Sequence, residues 1–201
     1  MNKRKRLNKM LIVMVSVYLL VGIVIGGTVA FLVTDSGPVQ NTFTPSKVTT
    51  SVEETSSENV KKDVKIKNTG DTTAYIRAAV VVTWQDADGN IYGQAPVAGT
   101  DYTIYYNLGA SESGNCWVKS SDGFYYYTSP VKSVSEDEKN CTTGILITSC
   151  TPISGKAPEG YNLAVEIIGS GIQSLPTSVV TENWNSGVSG VNADGILSIN
   201  K

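Results

Sequence analysis

From Tyr75 to Trp84 every second residue is apolar, namely Ile76, Ala78, Val80, Val82 and Trp84, while the intervening positions include Tyr75, Arg77 and Thr83. A helix, turning about 100° per residue, would scatter this set around its circumference; a strand places residues i, i+2 and i+4 on one face. The pattern predicts a strand with one buried face. Val64 and Ile66 alternate with Asp63, Lys65 and Lys67 in Val60–Lys67, and the same period returns at Tyr102, Ile104, Tyr106 and Leu108. Ile145 and Ile147 mark a short strand. Leu163, Val165 and Ile167 mark a longer one reaching toward Ile172. Two sheets packed face to face would bury all of these stripes, so the expected fold is all-β, an antiparallel β-sandwich.

Turn residues separate the strands. Asn68-Thr69-Gly70-Asp71, Asp88-Gly89-Asn90, Asp122-Gly123 and Asp194-Gly195 supply residues that tolerate positive φ. Trp117–Lys119 and Phe124–Tyr127 therefore read as a hairpin around Ser120–Gly123. Thr177–Asn185, after Pro176, is the single internal segment that suggests a helix. Thr50–Asn59 and Lys132–Asn140 are polar and acidic and read as surface loops.

The N-terminus carries a different signal. Lys3, Arg4, Lys5, Arg6 and Lys9 precede the apolar run Met10–Ile25, which breaks at Gly26-Gly27 before Thr28-Val29-Ala30. A basic region, an apolar helix and small residues three before and one before a cut describe a secretory signal, with Thr28 and Ala30 read by the peptidase and cleavage between Ala30 and Phe31. The alternative is an uncleaved anchor, since Met10–Val33 is long enough to span a bilayer core of about 30 Å. Either way the basic cluster stays inside and the remainder faces outward. The chain then divides into a signal peptide (1–30), a mature N-terminal segment (31–43) and a single domain (44–201).

Charge and cysteine content narrow the partners and the chemistry. Cleavage removes five of the 16 Lys and Arg, leaving 11 against 18 Asp and Glu, a net charge near −7. Such a domain repels phosphate backbones, which makes nucleic acid an unsuitable partner. The chain has no histidine, which removes histidine-based triads and histidine-containing zinc sites. Cys116, Cys141 and Cys150 are an odd number in an oxidising compartment. Three pairings are open, a reduced set is a fourth arrangement, and the close spacing of Cys141 and Cys150 makes them a candidate small staple.

Three further motifs are weaker. Asp86-Ala87-Asp88-Gly89-Asn90 starts like a calcium loop, but Ile91 and Val97 occupy the places of its glycine and glutamate, so a β-turn is expected. Leu175-Pro176-Thr177-Ser178-Val179 lacks the glycine of a sortase signal. Phe124-Tyr125-Tyr126-Tyr127 could present a ligand platform or fill a core. No cofactor is implied.

Gly26-Gly27-Thr28-Val29-Ala30-Phe31 with Asn41-Thr42-Phe43-Thr44 resembles the signal end and mature start of the TasA and camelysin-like exported proteins of Gram-positive bacteria. The likeness continues in scattered blocks through Lys67–Asp71, Ala74–Ala78, Asp122–Tyr127, Val165–Ile168 and Ile172-Gln173, and resembles the clostridial-type branch. It implies processing by a SipW-type signal peptidase, a jelly-roll or Ig-like sandwich, and a non-catalytic role in an extracellular matrix, biofilm, cell surface or fibre. It also implies that the freed segment can be donated as a strand to another copy or a sister subunit, with Phe31, Leu32, Val33, Val39 and Phe43 as its apolar contacts. Camelysin-like relatives are described as metalloproteases. The lack of histidine departs from that activity. A monomeric adhesin using the tyrosine hairpin is the alternative.

Overall fold

The longest pairing in the protein joins β3 (Ala74–Gln85) to β8 (Asn162–Gln173), twelve residues opposite twelve from Ala74↔Gln173 to Gln85↔Asn162 without a register shift. The computed structural model describes residues 47–57, 60–111 and 113–201. The signal segment, the cleavage residues Thr28, Ala30 and Phe31, and the strand contacts proposed for Leu32, Val33, Val39 and Phe43 lie outside the described residues.

Among the described residues the fold is mostly antiparallel and all-β, with three small sheets and one short helix. The first sheet has the order β1-β2-β7-β4, from β1 (Thr50–Ser57), β2 (Val60–Asn68), β7 (Ile147–Pro152) and β4 (Tyr102–Tyr106). The second runs β5-β6-β3-β8, with β5 (Trp117–Lys119) and β6 (Tyr125–Tyr127) forming the expected hairpin. A two-stranded sheet of β9 (Val188–Val191) and β10 (Leu197–Ile199) follows the helical turn α1 (Ser178–Asn183). Pro45–Lys201 is one compact unit that contains both of the cores described next.

The two four-stranded sheets share one core. Val64 and Ile66 of β2 and Ile147 and Cys150 of β7 meet Ile76 and Ala78 of β3, Trp117, Tyr125, Tyr127 and Val165. Val80, Val82, Leu163 and Ile167 pack against this cluster as the alternation requires. Burial of each such aliphatic side chain stabilises the fold by about 1.5–3 kcal/mol relative to exposure.

The expectation of one buried face on β3 needs correction at its N-terminal end. Tyr75 is buried on the opposite face, in a second core with Val118 and Tyr126. Val180 and Trp184 from the helical turn cover it, together with Val188 of β9 and Leu197 and Ile199 of β10. The second sheet is thus covered on both sides at this end, and sequence alternation registers only one of the two burials. The Tyr75 hydroxyl donates to the Gly195 carbonyl at 2.8 Å, tying the β9–β10 turn to the sheet.

Thr50–Ser57 is also corrected, from loop to strand. Its acids face basic partners across the ladder, with Glu53 opposite Lys65 and Lys67 Nζ 3.4 Å from Glu53 Oε1. Pairing with a lysine-rich neighbour suits a polar strand that apolar alternation cannot reveal.

Candidate functional site

The Asn68–Asp71 turn fixes where the chain enters the fold. Asn68 is fully buried, and its side-chain amide donates to the Thr72 and Val131 carbonyls, both at 2.9 Å, while Oδ1 accepts from the Gly70 amide at 3.0 Å. All of that costly burial is hydrogen-bonded. The next residues grip the incoming segment: Thr69 N donates to Thr49 O at 2.9 Å, Asp71 N to Lys47 O at 3.0 Å, and Lys47 N to Asp71 Oδ1 at 2.7 Å. Gly70 does not supply the positive φ expected from its turn motif. Its role is close approach, since a Cβ there would collide with the Lys47 carbonyl oxygen.

From this clamp the chain passes over the C-terminal half of β8. A Cβ on Gly171 would strike the Val48 side chain and one on Gly169 would crowd Thr50 Oγ1 at 3.0 Å, so those two glycines let one sheet close on the other. Further along, the closure stops. A groove of about 380 Å3 opens between the edge strands β1 and β8, lined by Val52, Glu54, Lys61, Val165, Glu166, Ile167 and Ile168. Glu54 and Lys61 form an ion pair at 2.9 Å on its first-sheet side. Ile168, on β8, is 54% exposed.

The two walls differ. On the β1 side the register shifts between Glu53 and Thr55, opposite a stretch of β2 in which Asp63 has φ 52°. That is a β-bulge, which bends and twists an edge. On the β8 side the pairing to β3 is regular throughout. An edge strand exposes unpaired N–H and C=O groups that template another strand, so the arrangement can hold an added strand by main-chain hydrogen bonds.

The tyrosine hairpin has another role. Tyr125, Tyr126 and Tyr127 are all buried, with Tyr125 stacked on Tyr106 at 4.8 Å and Tyr127 against Trp117 at 5.3 Å. These three rings fill the two cores. Burial pushes the Tyr126 hydroxyl up to about 12, aided by the hydrogen bond to Asp122. Beside it the Arg77 guanidinium lies 4.3 Å from the Phe124 ring centre and 4.9 Å from that of Trp184. Among the described residues Arg77 Nε has no hydrogen-bond partner, so ring faces take much of the place of polar partners around this cation.

Cys116, Cys141 and Cys150 are free thiols. The candidate Cys141–Cys150 staple does not form, and β2 explains why: Cys150 lies opposite Lys61 near the start of that strand, whereas the Cys141 carbonyl accepts from Asn68 N at its end. Burial pushes the Cys150 thiol up to about 11, against a smaller opposing effect of Lys61. At Asp86 the calcium-like motif is a turn, with Oδ1 accepting from Asp88 N and Asn90 N at 3.0 and 2.8 Å. The Asn90 side chain first, and then these main-chain bonds, hold its carboxyl below the usual range. Among the described residues no cluster of three or more Cys, Asp and Glu is placed to hold a metal ion.

Comparison with protein-family models, with curated proteins and with solved structures gives no match.

Proposed function

We propose that this chain is an exported, non-catalytic structural subunit that assembles through β-strand edges. One observation carries the reading: two edge strands, β1 and β8, flank an open, partly apolar groove, and the Asn68–Asp71 clamp fixes the incoming chain beside it. An added strand would extend a sheet and cover Val52, Val165 and Ile167 together.

The finer fold assignment belongs to the same proposal: the two four-stranded sheets and their shared core constitute a sandwich of jelly-roll or Ig-like type. So does the setting. The basic and apolar N-terminal segment directs export, a SipW-like peptidase cuts after Ala30, and the protein is membrane-tethered before that cut and at the cell surface or in the matrix after it. Phe31–Phe43 is then the donated strand, in another copy or a sister subunit.

The test compares the chain starting at Phe31 with one starting at Thr44. Electron microscopy is expected to show fibres from the first and none from the second. Equal assembly, or assembly by neither, would remove the donated strand from the proposal.

A further inference from the structure

The edge strands of the two larger sheets are not equally protected. Natural sheets defend an edge by keeping it short, bulging it, or placing charges on and beneath it. β5 has three residues; β4 has five and a register shift between Tyr105 and Tyr106. β1 faces a bulge and has the Lys61–Glu54 ion pair beneath it. β8 has none of these devices: it is twelve residues long and regular, and it contains no Pro, Lys or Arg and a single acid, Glu166. Val48 and Thr50 cover its Gly169–Gly171 portion, which leaves Asn162–Ile168 as the open stretch among the described residues.

That stretch is self-complementary. We infer that a second copy of this chain occupies it, β8 pairing antiparallel with β8 about a two-fold axis through Val165. This register sets Val165 opposite Val165 of the other copy and Leu163 opposite its Ile167, so all three inward aliphatic positions meet aliphatic partners. On the outer face Ala164 meets Glu166 and Asn162 meets Ile168. A shift to the register that centres on Glu166 would bring two carboxylates face to face, which is unfavourable. A slip of one residue would set the inward aliphatic positions of one copy opposite the outward positions of the other, with the two shared cores on opposite faces of the sheet. The result is one continuous eight-stranded sheet with the shared core of each copy on the same side. The inference rests on the reading of edge-mediated assembly and names the partner at the β8 edge, which leaves the β1 edge of the groove to the donated strand.

Because Ala164 faces the other copy's Glu166, charge at position 164 reads the register directly. Sedimentation velocity over a range of concentrations is expected to show a monomer–dimer equilibrium for the Pro45–Lys201 unit, and the same dimer, alongside fibres, for the chain from Phe31. Ala164→Glu should weaken the dimer about tenfold or more, corresponding to about 1.4 kcal/mol. Ala164→Lys should not weaken it, and Ala164→Glu with Glu166→Lys should restore it. Should Ala164→Glu fail to fold, cysteine pairing in a Cys116→Ser background replaces it: Ala164→Cys mixed with Glu166→Cys should form a disulfide-linked pair that neither forms alone.

A monomer at every concentration, or a dimer indifferent to position 164, overturns the inference. So does a Pro45–Lys201 dimer with a monomeric chain from Phe31, because the leading segment of the same chain would then occupy the edge. Fibres that persist unchanged in Ala164→Glu would leave donated-strand assembly standing while removing β8 pairing. A position-sensitive dimer that never forms fibres would leave β8 pairing standing while removing the donated strand.

Discussion

The Tyr126 hydroxyl donates a 2.7 Å hydrogen bond to Asp122 Oδ2, joining a residue at the centre of the second core to the turn that builds its own hairpin. The same carboxylate oxygen accepts from Ser186 Oγ at 3.1 Å, and Asp122 Oδ1 accepts from Phe124 N at 3.1 Å. Asp122 thereby links the β5–β6 turn, the aromatic core and the segment after the helical turn.

Stability should fall in acid through this group. Burial raises the Asp122 pKa, but the hydrogen bonds from Tyr126, Phe124 N, Ser186 and Ser120 outweigh it and hold the carboxyl below its usual value. A depressed folded value means a stabilising contribution present above the unfolded value of about 3.9 and lost as pH falls through the lower folded value. Glu136, held low chiefly by Ser133 N and then the Thr73 hydroxyl, adds in the same direction. Urea unfolding between pH 6 and pH 2 should show a shallower loss for Asp122→Asn than for the parent chain. Identical slopes would remove Asp122 from the account.

Arg77 should matter for packing as much as for charge. Its guanidinium is held between Phe124 and Trp184, and its only side-chain hydrogen bond among the described residues, from Nη1 to the Tyr126 hydroxyl, is long at 3.5 Å. Arg77→Met keeps an apolar stem and should cost about 1 kcal/mol, whereas Arg77→Ala should cost about 2 kcal/mol. Denaturant midpoints with Trp fluorescence would measure both. Equal losses would mean that the cation, and not the stem, dominates.

The turn before β3 should be intolerant of small changes. Asn68→Ala leaves the Thr72 and Val131 carbonyls and the Gly70 amide without their side-chain partner, at about 1–3 kcal/mol for the stranded groups. Gly70→Ala acts differently: it drives a methyl group into the Lys47 carbonyl and should loosen the incoming segment first. Faster amide exchange at Thr69 and Asp71, with the centre of β3 unchanged, is the expected signature. Uniform acceleration across the domain would contradict a local clamp.

Thiol labelling should follow burial. Cys116 is partly buried, whereas Cys141 and Cys150 are buried, and the Cys150 pKa of about 11 leaves little thiolate near pH 8. Brief iodoacetamide treatment of the native protein should therefore modify Cys116 ahead of Cys150 when followed by mass spectrometry. The intact mass should carry no disulfide. Preferential labelling of Cys150 would place that strand outside the core.

Much of the strand content could be read from the order of residues, and the reason is geometric. Alternation in Tyr75–Trp84 and Val60–Lys67 repeats the two-residue period of a strand whatever its neighbours are, and Asp122-Gly123 marks a hairpin by local backbone preference, with Gly123 at φ 88°. The absence of histidine is likewise complete in the sequence. Thr50–Ser57 was hidden because its strand character comes from pairing with lysines of β2, not from an apolar stripe. The β9–β10 strands were hidden because short strands around Asp194-Gly195 gain their meaning only from the core that they cover.

Sequence alone therefore determined the strand-rich character of the domain and several of its turns, since those depend on neighbours a few positions away. Tertiary structure decided which edges meet and which remain open. It put Cys141 and Cys150 beside opposite ends of β2, moved the tyrosines into the cores, and gave Gly70 and Gly171 their purpose through contacts with Lys47 and Val48. Those outcomes depend on residues far apart in the chain, whose proximity is set by sheet order and register, and neither quantity is encoded in any local window.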